Sequence, residues 1–297
     1  MILKSRPIRR REFLQGVAAA AVLSTVPGVS SAEDASPAKS RSGQEGMTKD
    51  IVMLHGASAG GWCFEQFRAV FEDEGWTCHT PDLKGHGKDK ERADQKLVGV
   101  SLTDYCAEFG AFLSTVPPRP VLLGHSMGAL LAQQLAASGL ARALVLVSPA
   151  PRAGILPSSD IEKDLSQSLM GIASFWKTVI NPDCDLACFY SLNRVPKAEQ
   201  RAVFNRFGPE SGLAYFQMFF WMLNKTLASA VKTDAVRCPV LCLSGTDDNL
   251  VSLETARATA LPYRDAQFWE EPGHGHMLGV EPGAEDIARR IESWMPV

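Results

Sequence analysis

The stretch that most constrains this 297-residue chain is Gly124-His125-Ser126-Met127-Gly128, which joins an apolar run to an apolar helical pattern. PVLLG (120–124) is typical of a buried strand, and MGALLAQQLAAS, which starts at Met127, is typical of a buried helix. A sharp strand-to-helix turn leaves little room for side chains two positions either side of its central residue. Glycine stands at both of these positions, so the sequence predicts a tight corner with Ser126 at its tip.

Short apolar runs alternate with longer amphipathic runs through much of the chain after residue 50. The runs predict six strands at 51–55, 77–80, 120–124, 143–147, 239–243 and 267–270. Strands without polar residues that alternate with helices are typical of a parallel sheet covered on both faces. We therefore expect an α/β fold with a doubly wound, mostly parallel sheet of about six strands.

Almost ninety residues between Pro149 and Cys238 break this alternation. They have helical patterning, no obvious strand and many large apolar side chains. We interpret residues 151–235 as a helical cap insertion over one end of the sheet, which leaves 51–150 and 236–297 as the core. Residues 33–50 begin with a small, polar and charged stretch, and we expect them to form a disordered lead-in.

The first 32 residues carry a separate pattern. Residues 1–11 are basic and lead into R-R-x-F-L at 10–14, an apolar run follows at 16–26, and Ser30-Ser31-Ala32 offers a cleavage site of small residues. This order is typical of a secretory signal, and the paired arginines resemble a twin-arginine address. We expect an exported protein, periplasmic or secreted, whose mature form has no membrane anchor.

Charge and cysteine content restrict the partners. The chain has a formal net charge of −3, and the signal segment alone carries +4, which leaves −7 for the rest. An acidic surface argues against nucleic acid as the main partner. Seven cysteines leave at least one unpaired, and the sequence leaves both a structural disulfide and the oligomeric state open.

A serine hydroxyl becomes a good nucleophile only beside a base that an acid orients. Two carboxylates follow the strand at 239–243, Asp247 and Asp248, and two histidines follow the strand at 267–270, His274 and His276. The segment after the strand at 143–147 reads SPAPRAG and has no carboxylate. Acid and base candidates therefore come later in the chain than Ser126, each just past the end of a strand.

The G-x-S-x-G turn in this setting resembles the nucleophile elbow of the α/β-hydrolase family, and the resemblance covers roughly residues 51–297. The family patterns G-x-x-D-x-x-V and G-H-x-x-x-x-E fall on Gly245, Asp248 and Val251, and on Gly275, His276 and Glu281. The resemblance implies a catalytic triad of Ser126, Asp248 and His276. It leaves Asp247 and His274 as solvated loop side chains.

Residues 55–62, HGASAGGW, resemble the HG-x-x-x-G-G-W variant of the family's oxyanion loop. By that match, the backbone N–H of Ala57 joins that of Met127 in an oxyanion hole. His55 is expected to hold this loop in place rather than to act as a base.

The resemblance implies hydrolysis of a carboxylic ester through an acyl-enzyme, with no metal and no organic cofactor. The aromatic-rich insertion favours an apolar or bulky small-molecule ester. Candidate substrate-binding residues are Ser58, Trp62, Phe216, Phe219, Phe220, Trp221 and Leu250.

Several alternatives stay open because a fold does not fix a function. Hydroxynitrile lyases and carbon–carbon hydrolases use the same triad, and the HGASAGGW loop slightly favours the first of these. A cofactor-free peroxidase is a further variant. A non-catalytic binding protein would be expected to lack a triad member, and dehalogenases or epoxide hydrolases would carry an aspartate where this chain has Ser126.

Overall fold

A computed structural model describes residues 48–296 of the chain. The strands are β1 (Asp50–Leu54), β2 (Thr77–His79), β3 (Val121–His125), β4 (Ala143–Val147), β5 (Val179–Ile180), β6 (Glu210–Ser211), β7 (Val240–Gly245) and β8 (Gln267–Glu271). The α-helices are α1 (Glu65–Asp73), α2 (Ala93–Lys96), α3 (Leu102–Leu113), α4 (Met127–Ala137), α5 (Asp160–Met170), α6 (Cys184–Tyr190), α7 (Lys197–Phe204), α8 (Gly212–Phe219), α9 (Leu253–Ala260) and α10 (Ala284–Trp294). The predicted signal segment and most of the lead-in lie outside the described residues.

Six strands form one parallel sheet in the order β2-β1-β3-β4-β7-β8. Strand β1 illustrates why these runs are apolar throughout. Ile51 and Met53 enter a core cluster with α1 and α10, whereas Val52 and Leu54 enter the cluster on the other face with α3 and α4. Both faces of the sheet are therefore buried, which confirms the predicted α/β fold with a six-stranded parallel sheet.

The insertion after β4 contains more than helices. Helices α5 to α8 are joined by β5 and β6, which pair antiparallel through Val179 with Ser211 and Ile180 with Glu210. The expectation that this region has no strand was wrong, because two-residue strands are too short to give an alternating pattern. One of these strands carries Glu210, which proves important for the site.

Capping residues mark where the helices that frame the site begin and end. Helix α3 begins at a capping box in which the Ser101 side chain accepts the N–H of Asp104, and the Asp104 carboxylate accepts the N–H of Ser101. Gly139 ends α4 with a φ of +79°, as predicted. Within residues 48–296, no helix is long and apolar enough to cross a membrane.

All seven cysteines lie in the described part of the chain and all are free. The two that stand at helical spacing, Cys184 and Cys188 in α6, have their Sγ atoms 3.9 Å apart. A disulfide requires about 2.05 Å, so these thiols neighbour each other without a bond.

Candidate active site

Ser126 occupies the corner between β3 and α4 with φ 51° and ψ −118°. A side chain on either flanking glycine would collide with backbone. A Cβ on Gly128 would lie 2.0 Å from the carbonyl oxygen of Leu54, and one on Gly124 would lie 2.4 Å from the Cα of Ala129. The glycines therefore allow helix and strands to approach closely enough to hold the serine in a sparsely populated conformation.

Backbone hydrogen bonds fix this strained residue from both sides. The Ser126 N–H donates to the carbonyl of Val147 at 3.0 Å. The Ser126 carbonyl accepts the N–H groups of Ala129, Leu130 and Ala150 at 3.0 to 3.2 Å. Strain of this kind persists only where the surroundings over-determine it, and it is concentrated at functional sites.

Asp248 and His276, which lie 28 residues apart, meet beyond the ends of β7 and β8. The Nδ1 atom of His276 is 2.9 Å from Oδ2 of Asp248, and both residues are buried. The other carboxylate oxygen of Asp248 accepts the N–H groups of Leu250 and Val251, each at 2.8 Å. An ionised carboxylate only accepts, so the proton between the side chains belongs to Nδ1, and Nε2 of the neutral ring is left as an acceptor.

His125 connects the serine corner to this pair. Its Nε2–H donates to the backbone carbonyl of His276 at 3.0 Å, and the two imidazole rings are 4.8 Å apart. Burial, with a smaller contribution from the neighbouring His276, lowers the pKa of His125 to about 3. The His125 ring is therefore neutral at physiological pH and acts as a rigid link between the two loops.

The competing residues Asp247 and His274 are held elsewhere. Asp247 forms an ion pair with Arg194, and Nδ1 of His274 lies 3.1 Å from Oε2 of Glu281. The sequence predicted solvated loop side chains; both are partly exposed, and each also has a charged partner, Arg194 for Asp247 and Glu281 for His274. Arg194 was not visible from local sequence spacing, whereas Glu281 already stood in the G-H-x-x-x-x-E pattern.

Glu281 also fixes the loop that carries His276. Its carboxylate accepts the N–H of Gly275 at 2.9 Å and the N–H of Met277 at 3.1 Å, on either side of the histidine. Burial raises the pKa of Glu281, although these backbone donors and His274 act in the opposite direction. The backbone of the histidine loop is thus held from within the core.

The candidate oxyanion loop is tied down by His55, as expected. His55 Nδ1–H donates to the carbonyl of Gly56 at 2.8 Å, and its Nε2 accepts the N–H of Leu83 at 3.0 Å. Burial and the nearby His86 lower the pKa of His55 to about 4, which keeps this ring neutral. Ala57 follows directly in the loop.

Met127 supplies the second candidate donor of the oxyanion hole. It is the first residue of α4, where backbone N–H groups have no acceptor within the helix. The positive end of the helix dipole therefore lies beside Ser126.

The candidate substrate-binding aromatics divide between two faces of α8. Phe216 packs against Phe175, Trp176 and Phe220, and Phe220 also packs against Phe175, at ring distances of 5.5 to 6.2 Å. Phe219 instead stacks on Tyr215 at 5.9 Å.

The face of α8 that carries Tyr215 and Phe219 contacts the oxyanion loop, because the Tyr215 hydroxyl lies 3.2 Å from Oγ of Ser58. Leu250 lies next to the acid and donates its N–H to Asp248. Trp62 and Trp221 have other neighbours: the Trp62 ring contacts Phe207 and the guanidinium of Arg206, and Trp221 donates to the carbonyl of Ile155.

Two buried glutamates from the cap were missed by the sequence analysis. Glu210 accepts the N–H of Ser58 in the oxyanion loop, and Glu162 accepts the N–H of Ser252 just beyond the acid. These contacts join residues 152 and 90 positions apart, so no local motif signals them.

The family model described as "Alpha/beta hydrolase family" matches residues 51–289, which is most of the chain. The chain belongs to the alpha/beta hydrolase family. The strand order and the corner at Ser126 agree with this membership.

Relatives within the alpha/beta hydrolases match this chain locally. Methylesterase 17 of Arabidopsis thaliana is 33% identical over 82 residues, 27% of this chain and 29% of its own length. The pyrethroid hydrolase of Sphingobium wenxiniae is 32% identical over 79 residues, 27% of each chain. The alignments thus span less than a third of these curated relatives. The monoacylglycerol lipase of Paleococcus ferrophilus matches in structure, with a TM-score of 0.62, 20% identity, and coverage of 84% and 95% of the two chains.

Proposed function

We propose that this alpha/beta hydrolase is a serine esterase that cleaves a carboxylic ester through an acyl-enzyme. The observation that carries the proposal is the buried Nδ1–Oδ2 contact of 2.9 Å between His276 and Asp248, joined through His125 to the strained corner at Ser126. A nucleophile, a base with a free Nε2 and an acid that orients the base are the three parts that acyl transfer requires.

In the proposed mechanism, Nε2 of His276 takes the proton of Ser126 as its hydroxyl oxygen attacks the ester carbonyl. Asp248 stabilises the imidazolium that forms, and the backbone N–H groups of Ala57 and Met127 hold the oxyanion. The imidazolium then protonates the leaving alcohol. Water, activated by the same histidine, cleaves the acyl-enzyme and restores Ser126. The names of the relatives, a methylesterase and a hydrolase, support ester hydrolysis over the lyase alternatives.

We propose an apolar or bulky small-molecule ester as the substrate class. The support comes from Phe219 and Tyr215, an aromatic pair that extends to Ser58 of the oxyanion loop, and from Leu250 beside the acid. Phe216 instead packs against Trp176 within the same insertion.

The test of the reaction is hydrolysis of p-nitrophenyl esters from acetyl to dodecanoyl by the wild type and by Ser126→Ala. Removing the nucleophile of a triad is expected to reduce kcat by about 10⁶-fold. Ser148→Ala is a matched control, because Ser148 is a fully buried serine with φ 42° at the end of the neighbouring strand β4. A wild type inactive on every ester, or equal activity in Ser126→Ala, would refute the proposal.

The substrate class has its own test. Phe219→Ala is expected to change the preference along the ester series, whereas Phe216→Ala lowers stability and leaves the preference unchanged. An unchanged preference in both variants would remove the support that the aromatic pair provides.

We also propose that the protein is exported through the paired arginines at 10 and 11. Cell fractionation of the full chain checks this, with Arg10→Lys and Arg11→Lys combined as the variant. Export that is unchanged in the double variant would exclude the twin-arginine route.

A further inference from the structure

A carboxylate from the cap is buried directly against the oxyanion loop. Glu210, in β6, is fully buried, and each of its two carboxylate oxygens accepts two hydrogen bonds. Oε2 accepts the backbone N–H of Ser58 at 3.1 Å and Nε2–H of His86 at 2.9 Å. Oε1 accepts the hydroxyl of Tyr105 at 2.6 Å and the N–H of Ser211 at 2.7 Å. One side chain thus joins the cap, the oxyanion loop, the loop after β2 and helix α3.

The charge of Glu210 is compensated where it lies. Burial disfavours a charged carboxylate, but the positive charge and hydrogen bond of His86, with those from Tyr105 and Ser211, hold the pKa of Glu210 below its usual value. Burial likewise opposes the charge of His86, and Glu210 nonetheless raises the pKa of that histidine. Both ring nitrogens of His86 face oxygen acceptors, the Lys84 carbonyl at 3.2 Å and Glu210 at 2.9 Å, an arrangement that suits a protonated ring, and hydrogen bonds to an ionised acceptor are stronger than those to a neutral one.

Ser58 is held by the cap on three sides. Besides the N–H bond to Glu210, its carbonyl accepts the N–H of Gly208 at 2.8 Å, and its hydroxyl lies 3.2 Å from that of Tyr215. Ser58 has φ 59°, a left-handed conformation that a non-glycine residue rarely adopts without support. The contact with Glu210 provides such support.

The peptide groups on either side of Ala57 are fixed from opposite directions. The carbonyl of Gly56, which shares a peptide group with the N–H of Ala57, accepts a hydrogen bond from His55. The next peptide group ends in the N–H of Ser58, which Glu210 holds. The N–H of Ala57 belongs to the first of these peptide groups, and the second, which Glu210 holds, fixes the chain that continues from Ala57.

We propose that Glu210 is a positioning residue for the oxyanion hole: from the cap, its carboxylate fixes Ser58 and thereby orients the N–H of Ala57. This inference rests on the proposed esterase function. It makes the cap part of the apparatus that stabilises the transition state, in addition to any role in covering the substrate.

The test compares kcat and KM of Glu210→Gln and Glu210→Ala with the wild type on p-nitrophenyl acetate. Glutamine keeps the volume of the side chain but replaces one accepting oxygen with a donor, and alanine removes both acceptors. Each folded variant is expected to lose about 10- to 100-fold in kcat with KM close to that of the wild type, because a misplaced oxyanion donor acts in the transition state. The acid limb of the pH profile is expected to stay in place, since Asp248 and His276 are unchanged.

A merely structural role for Glu210 predicts a different result. General loosening of the cap would lower the melting temperature and affect KM as well as kcat. Glu65→Gln is the matched control, because it breaks an exposed ion pair between Arg206 of the cap and the core without touching Ser58. This control is expected to keep the wild-type kcat.

The outcomes separate the inference from the proposed function. A wild type that hydrolyses no ester overturns both. An active wild type with wild-type kcat in Glu210→Ala, or in Glu210→Gln where the alanine variant does not fold, overturns the inference alone. An equal loss of kcat in Glu65→Gln also overturns it, because the effect would then come from any weakened contact between cap and core.

Discussion

The first turn of α4 contacts the end of β1 closely, and we expect both the unfolding free energy and kcat to depend on this contact. Gly128→Ala perturbs the contact by a single methyl group. The added Cβ would lie 2.0 Å from the carbonyl oxygen of Leu54 and 2.5 Å from that of His55. Real Cβ atoms essentially never approach closer than 3.0 Å, so helix and strand must separate by about 1 Å. Neither obstacle is the flexible end of a side chain, so the backbone itself must move.

The expected cost follows from that displacement. Overpacking a well-packed core by one methyl group typically costs about 1–3 kcal/mol of unfolding free energy, and the rigid neighbours of Gly128 place it at the upper end. Ser126 lies two residues away on the same corner, so it moves with the helix. A misplacement of about 1 Å in a catalytic group reduces turnover by roughly 10²-fold.

Gly110→Ala makes the same substitution in another helix and should have the opposite effect. Gly110 lies inside α3, and its added Cβ would meet only the Cδ2 atom of Leu135 at 3.6 Å, an ordinary contact. Replacing a glycine in a helix interior by alanine stabilises by about 0.5–1 kcal/mol. Urea unfolding followed by circular dichroism, together with ester kinetics, measures both variants. If Gly128→Ala is as stable as Gly110→Ala, or keeps the wild-type kcat, the reasoning about this contact is refuted.

Two further predictions concern the acid and the buried histidines. Asp248→Asn should reduce kcat by about 10⁴-fold by disturbing the orientation of the base, whereas Asp247→Asn should stay within a few-fold of the wild type; similar losses in both would reject the assignment. The folded-state pKa values of His55, about 4, and His125, about 3, lie below the unfolded value of about 6.5, so their stabilisation is complete above pH 6.5 and is lost as pH falls. For His55 the loss in unfolding free energy is about 3 kcal/mol by pH 4. The pKa of His86 is raised, so its contribution to stability is present below pH 6.5 and is lost as pH rises above that value. Urea midpoints at pH 7.5, 6 and 5 should therefore decrease, and a flat series would contradict this prediction.

The core of the fold could be predicted because its strands are buried on both faces. Residues 143–147 match β4 at both ends, and the other five predicted strands differ from the observed ones by one or two residues at an end. Helix α9 gave no comparable signal, since its sequence LETARATA is short and mostly polar or small. Its start is marked by Ser252, whose side chain accepts the N–H of Thr255, but a lone N-cap is a weak signal without an apolar stripe.

The candidate triad could be placed for a related reason. The ends of parallel strands meet at one edge of the sheet, so residues just after β3, β7 and β8 are brought together by the topology alone. The sequence predicted that the aromatic residues in and beside α8 would point in different directions, but not which of them would face the site. Helical geometry requires that neighbouring aromatic residues face different ways, but which face meets the site depends on tertiary contacts such as that between Tyr215 and Ser58.

Three loops at the site are held by buried carboxylates, and two of these carboxylates could not be identified from the sequence. Glu281 holds the histidine loop from within the same loop, Glu162 holds Ser252 beyond the acid, and Glu210 holds the oxyanion loop. Two of the three come from residues 151–235, and the described residues 48–296 belong to one compact unit. For Glu210, which faces His86, removing one partner of a buried charged pair typically costs about 3–5 kcal/mol. A movement of residues 151–235 away from the core as a rigid unit would break the contact of Glu162 with Ser252 and that of Glu210 with Ser58.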